Sequence, residues 1–302
     1  MLAGAAAGGA FLATGGTSSS AVPAARAAAP VRFRAAKLSA PRYPTHLLTV
    51  TRTPARTGIS PPLTASSAIL VDRRTGTVLW AKREHVRMPI ASTTKILTGV
   101  LAMERLAPHD VVTIDPAVPR AAPFREGLRA DERVQAWKLF YGLLLYSGND
   151  DALALAIAAA GSRGAFLHLM NERVHQLGLR DSHFTSPSGV LDKGNYSSAW
   201  DLASITRYAL QNPRFRTVVR TRIKRVNWAA PMYSKIYVNK NHLLGSYPGA
   251  NGVKTGWTTL ASHCLVASAE RNGVSLLAVV LHASDPYGDM RRLLDYGFAR
   301  RG

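Results

Sequence analysis

The chemistry-bearing residues begin with Pro89-Ile90-Ala91-Ser92-Thr93-Thr94-Lys95. A serine and a lysine three residues apart stand one turn apart on the same face of a helix. A neutral lysine amine placed there takes the serine proton, so an alkoxide forms as it attacks a carbonyl. The lysine must then be desolvated or set beside other cations, because an unperturbed lysine, with a pKa of ~10.4, stays protonated at neutral pH. A helix N-terminus helps by favouring negative charge on the serine oxygen. Alone, Ser-x-x-Lys is equally the pattern of a serine cap followed by a surface lysine. Here it has company. Ser147-Gly148-Asn149 lies where the apolar run Leu143-Leu144-Leu145 ends and another begins at Ala152, and Lys254-Thr255-Gly256 leads into an apolar strand. Read singly, the first is an inter-helix turn and the second a strand lead-in. Ser-x-x-Lys, Ser-x-Asn and Lys-Thr-Gly each occur once in the chain, in that order.

The elements that must position these residues are legible from pattern. Ala68-Ile69-Leu70-Val71 and Thr77-Val78-Leu79-Trp80 flank Arg73-Arg74-Thr75-Gly76 and predict a β-hairpin. A second hairpin joins Cys264-Leu265-Val266-Ala267 to Ser275-Leu276-Leu277-Ala278-Val279-Val280 through Asn272-Gly273, the strongest short hairpin signal. Between them, helical periodicity covers 92–106, 135–146, 149–160, 164–178 and 200–211, with a further helix at 288–299. Strands at both ends of a helical middle predict one domain whose antiparallel sheet is assembled from both termini. Residues 17–64 are rich in Ala, Pro, Ser, Thr and Arg, without a period of 2 or 3.6, and read as a tether. The expected division is therefore 1–64, an export signal and/or disordered basic tether, and 65–302, the catalytic domain.

The net charge is +20, and residues 1–64 hold seven cations and no carboxylate, which leaves +13 on the rest. Such a field attracts polyanions: nucleic acid, anionic lipid head groups or the acidic polymers of a bacterial envelope. A nucleic-acid reader would interleave basic and aromatic residues or carry a known motif, and the chain has neither, so nucleic acid is not an expected partner. With one cysteine there is no intrachain disulfide and no cysteine-built zinc site. Nine histidines form no His-Glu-x-x-His, so no metal site is expected, and Cys264 in its apolar strand reads as a small buried hydrophobe. No stretch reaches the ~18 apolar residues of a membrane span. The small apolar residues 2–15, followed by Ala-rich segments, suit an export signal, although no Lys or Arg precedes them. The expectation is an extracytoplasmic protein, in the cell envelope or secreted.

The ordered triple motif resembles the active-site set of serine penicillin-recognising enzymes, and most closely the low-molecular-mass D-alanyl-D-alanine carboxypeptidases. The likeness spans about residues 64–300. It includes Ala68-Ile69-Leu70-Val71-Asp72, Tyr141-Gly142-Leu143-Leu144-Leu145, Asp201-Leu202-Ala203, Asn239-Lys240-Asn241 before Tyr247-Pro248-Gly249, and Thr255-Gly256-Trp257-Thr258. The resemblance implies an α/β fold of α+β type, an αβα sandwich around an antiparallel sheet of the β-lactamase/DD-peptidase kind. It implies Ser92 as nucleophile, Lys95 as its base and Ser147 as the relay of a proton to the leaving group. Asn149 would hold the substrate backbone, and Lys254 and Thr255 its terminal carboxylate. Gly256 completes the third motif, and Trp257 would join Ser92 in offering the backbone N–H groups of an oxyanion hole. Peptidoglycan stem peptides would be the substrate and β-lactams acylating inhibitors, with no cofactor. The family often has Gly where this chain has Ser262 and His282, a departure expected to tune packing without abolishing activity. The β-domain and amphipathic tail that close some members are not present, so no C-terminal anchor is expected.

Two neighbouring activities fit the same machinery. A class A β-lactamase needs a glutamate about thirty-five residues after Ser-x-Asn, and the window Arg180–Leu191 holds Asp181 but no Glu. A DD-endopeptidase acting on cross-links is not separated from a carboxypeptidase by sequence. A non-catalytic wall-binding protein is disfavoured by the intact triple motif.

Overall fold

In the computed structural model, residues 49–51, 60–190, 193–228 and 234–301 are described. The export signal expected at 2–15, and most of the tether, lie outside the described residues. Strand β1 (Ser67–Asp72) and strand β2 (Val78–Lys82) form the first hairpin. Its turn is fixed by Asp72 Oδ1, which accepts from the N–H groups of Arg74 (3.0 Å) and Thr75 (3.1 Å). Strands β8 (Ser262–Arg271) and β9 (Val274–Ala283) form the second, with Asn272 (φ 46°) and Gly273 (φ 77°) both left-handed, as a primed two-residue turn requires. With β7 (Ala250–Thr258) these make one antiparallel sheet in the order β2-β1-β9-β8-β7. β1 therefore pairs with β9 from the far end of the chain, Ile69 opposite Val279.

Both faces of that sheet are covered, which is why β1, β8 and β9 read as continuous apolar runs instead of alternating ones. Ala68, Leu70, Ala278 and Val280 point to a core closed by Met290, Leu293 and Leu294 of the last helix (Pro286–Arg301). Ile69, Val71 and Val279 point to the larger core, filled by helix α1 (Lys95–Arg105), α2 (Ala136–Tyr141), α3 (Asn149–Ala160), α4 (Arg163–Gln176), α5 (Ala199–Ala209) and α6 (Pro213–Arg220). The last helix is α7. This is the expected αβα sandwich. Helix α6 was not expected, although Asn212 caps it through its side chain and Pro213 occupies its first turn. Two short ribbons were also unforeseen: β3 (Val111–Thr113) with β4 (Arg133–Gln135), and β5 (Ile223–Val226) with β6 (Lys235–Val238).

The chain meets the domain upstream of Ala65. Val50 is buried and donates its N–H to Ser204 Oγ (3.1 Å), while Arg207 donates to the carbonyls of Thr49, Arg73 (3.0 Å) and Arg74 (3.1 Å). Asp289 in α7 accepts from the N–H of Thr64 (2.9 Å) and of Ala65 (2.7 Å). Among the described residues no single helix is long and apolar enough to cross a membrane.

Candidate active site

Ala91, whose φ of 47° is left-handed, opens a 3-10 turn, Ala91–Thr94, that runs straight into α1. Ser92 lies in that turn and Lys95 opens the helix, one turn on. Lys95 is completely buried, and its Nζ lies 2.9 Å from Ser92 Oγ, 2.7 Å from Asn149 Oδ1 and 3.1 Å from the Ser188 carbonyl. Those three partners suit a neutral amine. Two N–H groups meet the two carbonyl acceptors, and the lone pair is left for the serine hydroxyl. Burial, and after it the nearby Lys254 ammonium, hold Lys95 well below the usual lysine range.

Ser147 follows a π-helical turn, Gly142–Tyr146, and takes a left-handed φ of 75°. Its N–H donates to Gly142 O (2.8 Å), which also accepts from Gly148 N (3.2 Å). π turns recur at functional sites because they re-aim a side chain without ending the helix. Asn149 opens α3; its N–H donates to Phe124 O (2.9 Å) and its amide nitrogen to Pro123 O. On the opposite side runs β7. Gly256 is needed there, since a Cβ at that position would sit 3.0 Å from both Ser92 N and Ile90 O. Lys254 is buried, and its Nζ donates to Thr255 O (2.9 Å); burial and the Lys240 charge push its pKa down to about 7.

Between these walls lies a cavity of about 580 Å³. Of the eight residues expected at the site, Ser92, Ser147, Asn149, Thr255, Gly256 and Trp257 line it, while Lys95 and Lys254 lie beneath its surface. Trp257 is 54% exposed, a wall and not a core anchor. Sequence reasoning missed Phe124, Lys240, His242 and Tyr287 on the lining, and the Ser188 carbonyl below it. Lys240 stands over the rings of Tyr146 (5.0 Å) and Phe124 (5.5 Å). Cys264 is buried, with its thiol pushed up to about 11 by burial, so it is not a poised nucleophile.

The D-alanyl-D-alanine carboxypeptidase family profile matches residues 54–285. The chain belongs to that family. It is 32% identical over 246 residues to the carboxypeptidase DacF of Bacillus subtilis (strain 168), covering 78% of this chain and 62% of that one. It is 36% identical over 270 residues to the D-alanyl-D-alanine carboxypeptidase of Streptomyces sp. (strain K15), covering 83% and 93%. Among solved structures, the Streptomyces K15 DD-transpeptidase superposes with a TM-score of 0.74 at 33% identity, over 80% of this chain and all of that one. An evolved penicillin-binding protein homolog from Mycobacterium tuberculosis gives 0.76 at 31% identity, over 82% and 96%. The chain thus spans less than two thirds of the Bacillus relative and nearly all of the Streptomyces one.

Against this carboxypeptidase background the two departures have a physical reading. Ser262 and His282 both take φ of 53°, the left-handed region where a side chain costs about 1–2 kcal/mol. Ser262 precedes the irregularity in β8–β9 pairing at His263/Leu265, and His282 lies within it, between the paired Val280 and Ala283. Asp181, the only acid in the window where a β-lactamase glutamate would stand, lies outside the cavity lining and pairs with Arg87 and His85 (both 3.2 Å).

Proposed function

We propose that this chain is a serine D-alanyl-D-alanine carboxypeptidase that works outside the cytoplasm and removes the terminal D-alanine from peptidoglycan stem peptides. The observation that carries the reading is the buried Lys95 amine, 2.9 Å from Ser92 Oγ at the floor of the cavity. Ser92 Oγ attacks the carbonyl of the penultimate D-alanine as Lys95 takes its proton. The tetrahedral oxyanion is held by the N–H groups of Ser92 and Trp257, a contribution typically worth ~10²–10³ in rate per donor. Ser147 passes a proton to the departing D-alanine nitrogen, leaving the acyl group on Ser92. Water then adds to the ester carbonyl, the Ser92 Oγ–acyl bond breaks, the shortened peptide leaves as its carboxylate, and Ser92 Oγ recovers its proton. Asn149 holds the peptide backbone. Thr255 meets the terminal carboxylate at the cavity wall, with the Lys254 charge beneath it and Lys240 on the lining. The cations of residues 1–64 add an attraction to anionic envelope polymers that weakens with salt.

A β-lactam should acylate Ser92, and mass spectrometry of the digested adduct locates it. Ser92→Ala should remove the adduct and the release of D-alanine together, with the fold intact by circular dichroism. An adduct that survives in Ser92→Ala, or that maps to Ser147, overturns the assignment.

A further inference from the structure

Behind the Ser147 turn lies a cluster that this chemistry does not use. Asp151, in the first turn of α3, is fully buried, and neither of its carboxyl oxygens has a hydrogen-bond partner among the described residues. Glu126 reaches in from the loop before β4 with 1% of its side chain exposed. Its Oε2 accepts from the Tyr237 hydroxyl (2.5 Å) and faces Lys235 Nζ (3.3 Å), while Oε1 has no partner among the described residues. The orphan oxygens converge. A Cβ on Gly142 would collide with both Asp151 Oδ1 and Glu126 Oε1, so the two carboxyls meet over that glycine; a Cβ on Gly148 would collide with Asp151 Oδ2. Two carboxyls buried this close do not both ionise, and one proton between them converts repulsion into a hydrogen bond.

We infer that Glu126 and Asp151 share one proton over Gly142, and that this bond makes them positioning residues for Ser147 and Asn149. Gly142, on which the pair rests, is also the residue whose carbonyl holds the N–H groups of Ser147 and Gly148. The loop that carries Glu126 is a wall of the cavity. Asn149 binds it at Pro123 and Phe124, and Asp150 accepts from the N–H groups of Glu126 (2.9 Å), Gly127 (2.9 Å) and Leu128 (3.1 Å). The pair therefore clasps the wall, the turn and the start of α3. It also protects the base, because a negative charge on Asp151 raises the proton affinity of Lys95. The charged and titratable groups facing the pair are Lys235 and Tyr237 from β6, Tyr146 from the π turn, Asp150 from α3 and Lys95 from α1. Burial lifts Asp151 well above the carboxylate range and Glu126 to about 7. Loss of the shared proton as pH rises should loosen the wall and return a proton to Lys95.

The inference rests on the reading of Ser92 as nucleophile, and the test separates the two. Acylation by a chromogenic β-lactam is followed from pH 6 to 10 in the full chain, in Asp151→Asn and in Asp151→Leu. The asparagine amide N–H replaces the shared proton, so Asp151→Asn should acylate within about threefold of wild type at pH 7 and hold its rate to higher pH. Wild type should decline by up to about tenfold per pH unit once the pair loses its proton, and Asp151→Leu should be slower by about tenfold or more at pH 7. Superimposable wild-type and Asp151→Asn profiles, or an Asp151→Asn as slow as Asp151→Leu, overturn the inference. If Asp151→Leu does not fold, the first comparison decides alone. If wild type does not acylate at all, the nucleophile reading fails, and thermal unfolding then tests the pair independently. The Asp151→Asn Tm should gain on wild type steadily as pH rises above the ordinary aspartate range. A difference that stays flat with pH overturns the shared proton. So does a wild-type Tm that depends, at fixed ionic strength, on whether the salt is sodium, potassium or choline chloride, since a metal cation would then occupy the proton's place.

Discussion

On the cavity side of the Ser147 turn two lysines are buried, and on its far side two carboxyls are. The lysines are hydrogen-bonded: Lys95 to three partners and Lys254 to a carbonyl. Among the described residues, three of the carboxyl oxygens have no donor. Both pairs are driven toward neutrality by burial, but from opposite sides. Lys254 falls from 10.5 to about 7, so the folded chain binds fewer protons than the unfolded chain between those values, and stability rises with pH across that window. Glu126 rises from 4.5 to about 7, so the folded chain binds more protons there, and stability falls as pH climbs through it. Taken alone, these two groups make neutral pH the least favourable point for the fold. The fold is thus stabilised least at the pH where both groups exchange their protons.

Lys95→Met breaks the comparison most severely. It removes the proton acceptor, so acylation of Ser92 should fall by about 10³ or more, while the melting temperature holds or rises because a desolvated amine is gone. Near-normal acylation would take Lys95 out of its role. Lys254→Met acts on the same side more gently. Hydrolysis of a peptide with a free terminal carboxylate should drop by about 10–100-fold in kcat/KM. The rise in Tm between pH 7 and 10 should flatten, because its titrating group is absent; an unaltered slope would mean that Lys254 titrates normally. Ser262→Gly serves as the uncharged control. It relieves a left-handed serine away from both pairs, so stability should rise by up to about 1 kcal/mol with no change in the pH profile. A pH-dependent gain would show that the β8–β9 irregularity is coupled to the titrating groups.

The cavity-side pair was legible in the sequence because each member sits in a short contiguous motif. Ser92 and Lys95 are brought together by one helical turn, and Gly256 is explained by the closeness of β7 to Ser92. The hairpins were legible for a similar reason: Asn272-Gly273 carries its own turn geometry. The far-side pair was not. Glu126 and Asp151 are joined only because Gly142 and Gly148 leave room for their oxygens, and no local pattern predicts that. The Ser188 carbonyl under Lys95 was hidden too, because a backbone acceptor carries no residue signature. Arg173 was missed for a different reason. Placed in a polar helix pattern, it is nevertheless buried, with its guanidinium over the Tyr208 ring and 3.5 Å from Glu104. The β5–β6 ribbon was lost among cations: only Val226 and Tyr237 of its eight residues are buried.

The strand order has a consequence for how the molecule comes into being. β9 lies between β1 and β8, so β1 can pair only with β2 until residues 274–283 arrive. Ile69, Leu70 and Val71 keep one open edge until β9 is made, and the two cores cannot be sealed from each other before that strand is in place. Pairings of such long sequence separation form late and slowly. A chain built this way remains threadable while it is being made or moved through a narrow channel, and its sheet closes only when β9 is free to enter between β1 and β8.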